Sequence, residues 1–347
     1  MSVSFIYPDE TTGRCRRIGR YQVSERMWID VFNGDADGIC ALLQLRLQQP
    51  RESLRITGVK RDIALLERVN ASSGDHVTVL DISLAKNQSA LQRLLAQGAS
   101  VEYFDHHDPG DLPEHPALTT TISEAPEVCT ALLVNGHLRG TSVEWAIVGA
   151  FGDNLDEPAQ RLAKKVGVGE PEITFLRHLG HCINYNGYGA ELADLHFHPD
   201  ALYAELYQAE TPAAFRDSQS YSILSDGYAA DLDASAALQP VEEGAGYALY
   251  QLPNAAWARR VSGVFSNDLV RAHPDRAHAV LTEQADGAFL VSVRAPFAHR
   301  YGASKICTQF ETGGGREAAA GINRLPDEHV EKLIAALAAE YGSQSWR

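Results

Sequence analysis

The chain has 347 residues, enough for about two domains, and its 45% hydrophobic content is ordinary for a protein with a real core. A formal charge of −15, from 30 Lys+Arg against 45 Asp+Glu, excludes the broad basic surface that grips long nucleic acid. It leaves room for a short anionic ligand held by a few local groups.

No apolar run approaches the ~20 residues that a membrane helix needs, so no membrane partner is expected. No apolar signal segment follows the N-terminal basic residues. The five cysteines are scattered, odd in number and without CxxC spacing. That pattern argues for a reducing, cytoplasmic setting and against a disulfide frame or structural zinc.

Residues 1–26 are polar, lack periodicity and carry Arg14, Arg16, Arg17 and Arg20, which reads as a loosely attached leader. Met27–Phe32 reads as a strand running into Asn33-Gly34-Asp35-Ala36-Asp37-Gly38, with an amphipathic helix at Ile39–Leu47. A strand at Leu54–Val59, a short helix at Ile63–Val69 and a strand at Val77–Leu80 follow, the last ending at Asp81. Ala85–Ala96 is a helix, and Val101–Phe104 is a strand that stops at Asp105-His106-His107. Strands alternating with helices imply a parallel sheet covered on both faces. Helices at Cys129–Leu138 and Val143–Phe151 come next, the second reaching Gly152-Asp153-Asn154.

The expected division is an α/β domain over 27–185, a mostly helical connector over 186–245, and a smaller α/β domain over 246–347. In the last part, strands are read at Tyr247–Leu252, Ala277–Glu283 and Gly287–Ala295, and helices at Ala303–Phe310 and Glu328–Tyr341.

Single acids after strands are ordinary turn or cap residues. Here Asp35 and Asp37, Asp81, and Asp105-His106-His107 all sit where strands stop, and Asp153 follows a helix. Parallel strands bring their carboxyl ends to one rim, where such side chains can converge. Packed carboxylates repel and are pushed toward protonation, a penalty that divalent cations remove. Carboxylates with imidazole suit Mn, Zn or Fe rather than Ca. A second signal is Gly313–Gly321, GGGREAAAG, where bare backbone could approach an anion and a following helix would aim its positive end at it. Arg294, in VSVRAP, could pair with a phosphate.

The ordered set GDADG, VTVLDIS, YFDHH, GAFGDN and GGGREAAAG resembles the DHH phosphoesterases with a C-terminal DHHA1 domain, from about Met27 onward. The resemblance implies manganese-dependent hydrolysis of phosphoric esters in a cleft between an N-terminal DHH domain and a DHHA1 domain. It implies two Mn²⁺ ions, with Mg²⁺ or Co²⁺ as alternatives, held by Asp35, Asp37, Asp81, His106 and Asp153. Asp81 and Asp153 would bridge the ions. Asp105 would orient a neighbour, His107 would contact phosphate, and Arg294 with Gly313, Gly314 and Gly315 would grip substrate.

Two departures stand out. Val31 occupies a position where several members carry a His ligand, so Asn33 or a water would have to complete that site. Arg316 stands where the glycine motif usually continues with His, and it suits a terminal phosphate or stacking on a base.

Two metal ions sharing bridging carboxylates activate a water for in-line attack on phosphorus. The compact layout resembles nanoRNases and enzymes that cleave linear dinucleotides. The expected substrate is a short linear nucleotide such as pGpG, with Arg316 and Asn184-Tyr185-Asn186 as readers of a guanine edge. A 3′-phosphoadenosine 5′-phosphate phosphatase and a short-oligonucleotide exonuclease are the alternatives. Outside enzymes, a nucleotide sensor or an anion-binding protein with structural metal remains open. A homodimer is compatible with this composition.

Overall fold

The computed structural model describes residues 26–342. The leader expected at 1–26 lies outside them except for Arg26. In chain order the first elements are β1 (Trp28–Phe32), α1 (Ala36–Gln48), β2 (Leu54–Ile56), β3 (His76–Leu80), α2 (Leu84–Ala96), β4 (Ser100–Asp105) and β5 (Leu118–Ile122). Their strands form a parallel sheet in the order β2-β1-β3-β4-β5.

Alternation explains why both faces are dry. Ile29, Val31, Val77, Val79, Val101 and Tyr103 point to one core together with Leu91 and Leu94 of α2. Phe32, Leu80 and Phe104 point to the other, together with α1. The threonine-rich edge strand β5 is absent from the sequence reading, because LTTTI lacks the apolar run of its neighbours. The helix expected at Ile63–Val69 is only a 3-10 turn at Leu65–Arg68.

A helical layer follows: α3 (Thr130–His137), α4 (Val143–Gly152), α5 (Asp156–Lys165), α6 (Glu170–Gly187), α7 (Pro199–Ala209), α8 (Pro212–Phe215) and α9 (Gln219–Ala236). The 186–245 stretch is more than a connector. Leu202, Leu206, Phe215 and Leu224 are fully buried in the same core as α1 and α4.

The rest comprises β6 (Glu242–Gly244), β7 (Tyr247–Leu252), α10 (Ala256–Ala272), β8 (Ala277–Glu283), β9 (Phe289–Arg294), α11 (Ala303–Cys307), β10 (Gly313–Arg316), β11 (Ala319–Leu325) and α12 (Val330–Tyr341). These strands form a mixed sheet in the order β10-β11-β9-β8-β7-β6, in which only β7 and β8 run parallel. The helix expected at Ala303–Phe310 ends at Cys307. No helix follows the glycines: Gly313–Arg316 is itself a strand, hairpinned to β11.

α10 ties this sheet to the helical layer. Arg260 Nε donates to Tyr185 Oη and to Asp231 Oδ2, both at 2.8 Å. Arg259 holds Asp194 through both carboxylate oxygens, at 2.8 and 2.6 Å. No helix among the described residues is long and apolar enough to cross a membrane.

Candidate metal centre

The strand order places the change of winding direction between β1 and β3, and a crevice opens at the carboxyl ends of such a pair. Asp35 and Asp81 stand there. Asp35 is the N-cap of α1, and its Oδ1 accepts from the amides of Asp37 at 3.0 Å and Gly38 at 3.1 Å. Asp37, two residues further, reaches across to α3, where its two oxygens accept from the amides of Thr130 and Ala131, each at 2.7 Å. Those are unpaired donors of a helix N-terminus, so they fix the carboxylate's direction.

Asp81 follows β3 with φ +59°, in the left-handed region that Asp enters more readily than most non-glycine residues. Asp153 is the C-cap of α4. Its place depends on Gly152, where an added Cβ would lie 2.3 Å from the Cβ of Ala36. The missing side chain lets α4 close onto the start of α1 and brings Asp153 to the other acids.

His106 is the hub. Its Nε2 lies 3.4 Å from Asp81 Oδ1, 3.8 Å from Asp153 Oδ2 and 3.9 Å from Asp37 Oδ2. Two overlapping groups could hold an ion, Asp37–His106–Asp153 and Asp81–His106–His107. Ligands around an ion bound at ~2.0–2.2 Å stand roughly 3–3.5 Å apart, so small rotations would close this set. The donors fit the divalent metal that the resemblance implies. Asp35, expected as a fifth ligand, belongs to neither group: its Oδ2 accepts from Lys60 Nζ at 2.5 Å. Asn33 does not complete a ligand set either, because its Oδ1 accepts from the Asp35 amide.

The electrostatics agree with a cation site. Burial, then repulsion from Asp35, Asp37 and Asp153, holds the Asp81 carboxyl well above the usual carboxylate range. Burial and the charge of Asp37 push Asp153 up to about 7, against the pull of Lys60. Burial also raises Asp37, with Asp35 adding and His106 opposing. Asp35 goes the other way: burial pushes it up, but Lys60 and the Gly38 amide hold it below the usual range.

Asp105 ends β4 fully buried, and its Oδ1 accepts from the His106 amide at 2.9 Å and pairs with His107 Nδ1 at 2.7 Å. Asp105 thus turns His107 so that Nε2 is free, and the hydrogen bond with Asp105 raises the His107 pKa.

Asn184 of α6 and Asn267 of α10 line one cavity of about 560 Å³, together with Asn154 beside Asp153. Asn184 Oδ1 accepts from Lys60 at 3.2 Å, and Asn267 Oδ1 accepts from Arg294 Nε at 3.0 Å. Two residues of the cavity wall are thus one hydrogen bond from Lys60 and one from Arg294. Burial lowers the Arg294 pKa, against a smaller opposing pull from Tyr188 and Cys307. A part-buried guanidinium in that setting suits an incoming anion.

Register puts Arg316, Ala319 and Arg294 side by side across three strands, and Gly314, Gly321 and Ser292 in the adjacent row on the same face. Two of the three glycines have structural causes: a Cβ on Gly313 would meet Cys307 O at 1.8 Å, and Gly315 has φ +137°. Gly314 is different, since a Cβ there would meet nothing within 4 Å. The motif thus makes a bare strip of sheet, flanked by the two arginines, rather than a helix-end cradle.

Two expectations for the Asn184-Tyr185-Asn186 segment do not hold. Asn186 is fully buried and staples Phe197 through both its amide atoms, and Tyr185 is locked to Asp231 and Arg260. Only Asn184 faces the site.

Lys60 is the residue that sequence reasoning missed. Its signal was positional: it lies just past β2, which neighbours β1, so it shares the rim with the acids.

No protein-family model and no curated relative matches the sequence. Solved structures do. A DHH-domain protein described as a member of the s1p family of ribosomal proteins is 15% identical, with TM-score 0.62 over 91% of this chain and 86% of that one. PggH, a pGpG-specific phosphodiesterase from Vibrio cholerae, is 14% identical, with TM-score 0.56 over 91% and 98%. The exonuclease RecJ bound to manganese is 18% identical, with TM-score 0.51 over 91% and 90%. At these identities the likeness is one of architecture, and the chain carries the DHH phosphoesterase fold.

Proposed function

We propose that this chain is a metal-dependent phosphodiesterase that cleaves short linear nucleotides, with pGpG as the leading substrate. The observation that carries the reading is the convergence of Asp37, Asp81 and Asp153 on His106 Nε2 within 3.9 Å. A buried acid cluster of this kind is costly without a cation. Mn²⁺ is the proposed metal, with Mg²⁺ and Co²⁺ as substitutes. A divalent ion bound there supplies Lewis-acid charge and acidifies a water.

The chain's own residues supply the rest. Asp37 is held by the α3 amides and presents Oδ2 toward the ligand point. Asp105 holds His107, whose Nε2–H donates to a non-bridging phosphoryl oxygen as charge accumulates. Arg294 receives a second anionic group, and the strip at Gly314 and Gly321 lets a flat base or sugar lie against backbone. Arg316 stands at the outer end of that strip for a terminal phosphate.

The acidic surface supports short substrates over long ones. A 3′-phosphoadenosine 5′-phosphate phosphatase and a short-oligonucleotide exonuclease use the same centre and differ only in what the strip admits. A sensor without chemistry has no use for so charged a buried cluster.

The test is a panel of pGpG, pApA, 3′-phosphoadenosine 5′-phosphate, cyclic dinucleotides and longer oligomers with Mn²⁺, separated by chromatography. Release of GMP from pGpG, faster than any product from the longer oligomers, is the expected result. Bound manganese with no phosphoester cleaved would overturn the reading.

A further inference from the structure

Lys60 has a built position of its own. Its amide donates to Gly187 O at 2.9 Å, which fixes the backbone against the end of α6. Its ammonium then meets Asp35 Oδ2 at 2.5 Å, Asn184 Oδ1 at 3.2 Å and Asp153 Oδ1 at 3.8 Å. The ring of Tyr188 lies 5.3 Å from Nζ. Two oxygens accept from the ammonium, the Asp153 carboxylate adds a longer ion pair, and an aromatic face adds to the attraction.

The pairing also uses up Asp35. Oδ1 already accepts two backbone amides, and Oδ2 carries the ammonium. A carboxylate has about four lone-pair sites, so Asp35 has at most one to spare, beside a fixed positive charge. Val31, in β1 below, is fully buried in the apolar core and offers no donor in its place. The half of the cluster around Asp35 is therefore poor in ligands and already neutralised. The half around His106 is rich in donors, and the ammonium reaches it only at Asp153 Oδ1, 3.8 Å away.

We propose that the centre takes one divalent ion, among Asp37, Asp81, His106 and Asp153, and that Lys60 supplies the second positive charge beside Asp35. This rests on the metal-centre reading above and departs from the two-ion apparatus that the family resemblance implies. The ammonium is also held by Asn184 Oδ1, at 3.2 Å, and Asn184 lines the cavity described above. From that place it could meet a phosphoryl oxygen of a bound substrate. No group transfers to or from the lysine, so it is a positioning and charge-supplying residue.

The test is a count of ions. The intact chain, stripped with chelator, is dialysed to equilibrium against Mn²⁺, and bound manganese per chain is measured by elemental analysis and by calorimetry. The wild type is expected to bind one ion. Lys60→Met, which keeps the stem and removes the charge, is expected to bind two, and Lys60→Arg to stay at one. Two ions of similar affinity in the wild type would overturn the proposal and leave the metal-centre reading standing. One ion in folded Lys60→Met would also overturn it, because the ammonium would not then be what excludes the second. No bound ion in the wild type would sink the metal-centre reading itself.

Discussion

Two ion pairs lie at opposite ends of one strand–helix unit, and they differ in completeness. Asp30, inside β1, meets Arg46 near the end of α1 with both partners buried. Arg46 Nε donates to Asp30 Oδ2 at 2.8 Å and its Nη2 to the other oxygen, while Thr78 and Ser53 take up remaining capacity. Charge and hydrogen bonds balance there. Asp35, just past the same strand, meets Lys60 among Asp37, Asp81 and Asp153, and one ammonium leaves the acids in excess. A buried pair that closes on itself is architecture. A buried group of acids that does not close calls for something brought in from solvent.

The sharpest break of that comparison is chemical. Asp81→Ala and His106→Ala are each expected to cut turnover by about ten-thousandfold or more while circular dichroism stays native. Near-full turnover in purified Asp81→Ala would remove Asp81 from the centre.

The structural pair should behave in the opposite way. Arg46→Ala leaves Asp30 charged and buried alone, which costs about 3–5 kcal/mol of stability. Manganese affinity of the folded fraction is expected to hold. Replacing both partners together, Asp30→Leu with Arg46→Met, should recover most of the loss in a denaturant titration.

Gly314→Val tests the bare strip, because its Cβ would enter open space on a strand that tolerates branching. The expected result is a KM raised about tenfold, worth about 1.4 kcal/mol, with little change in melting temperature. An unchanged KM would remove the strip from substrate binding.

The smallest effect is one of pH on the metal-free chain. The Asp153 carboxyl is raised from 3.8 to about 7 by burial and Asp37, so the folded state holds a proton that the unfolded state has released. Stability without metal should therefore fall as pH rises from about 4 to about 7. Saturating manganese should abolish that slope, as thermal melts at each pH would show. A metal-free melt flat over this window would contradict the raised Asp153.

What the sequence made legible follows from what it can encode locally. Acids at the ends of apolar strands announce themselves, because strand length and periodicity locate the rim. Lys60 did not, because it follows a three-residue edge strand with little apolar signature, and a lone lysine reads as surface. The glycine motif misled for a different reason. Ala318-Ala319-Ala320 has high helix propensity, but Ala320 and Ile322 are needed in the core of the second sheet, and tertiary packing overrides propensity. Asn186 and Tyr185 looked like polar readers of a ligand, and only the fold reveals that Phe197 and Asp231 already hold them.

The most direct measurement is anomalous scattering at the manganese edge from crystals grown with Mn²⁺. A peak within bonding distance of Asp37, Asp81, His106 and Asp153, with Lys60 still beside Asp35, is the expected result. A map with no peak at His106, or with manganese held elsewhere, would contradict the assignment of this rim as a metal centre.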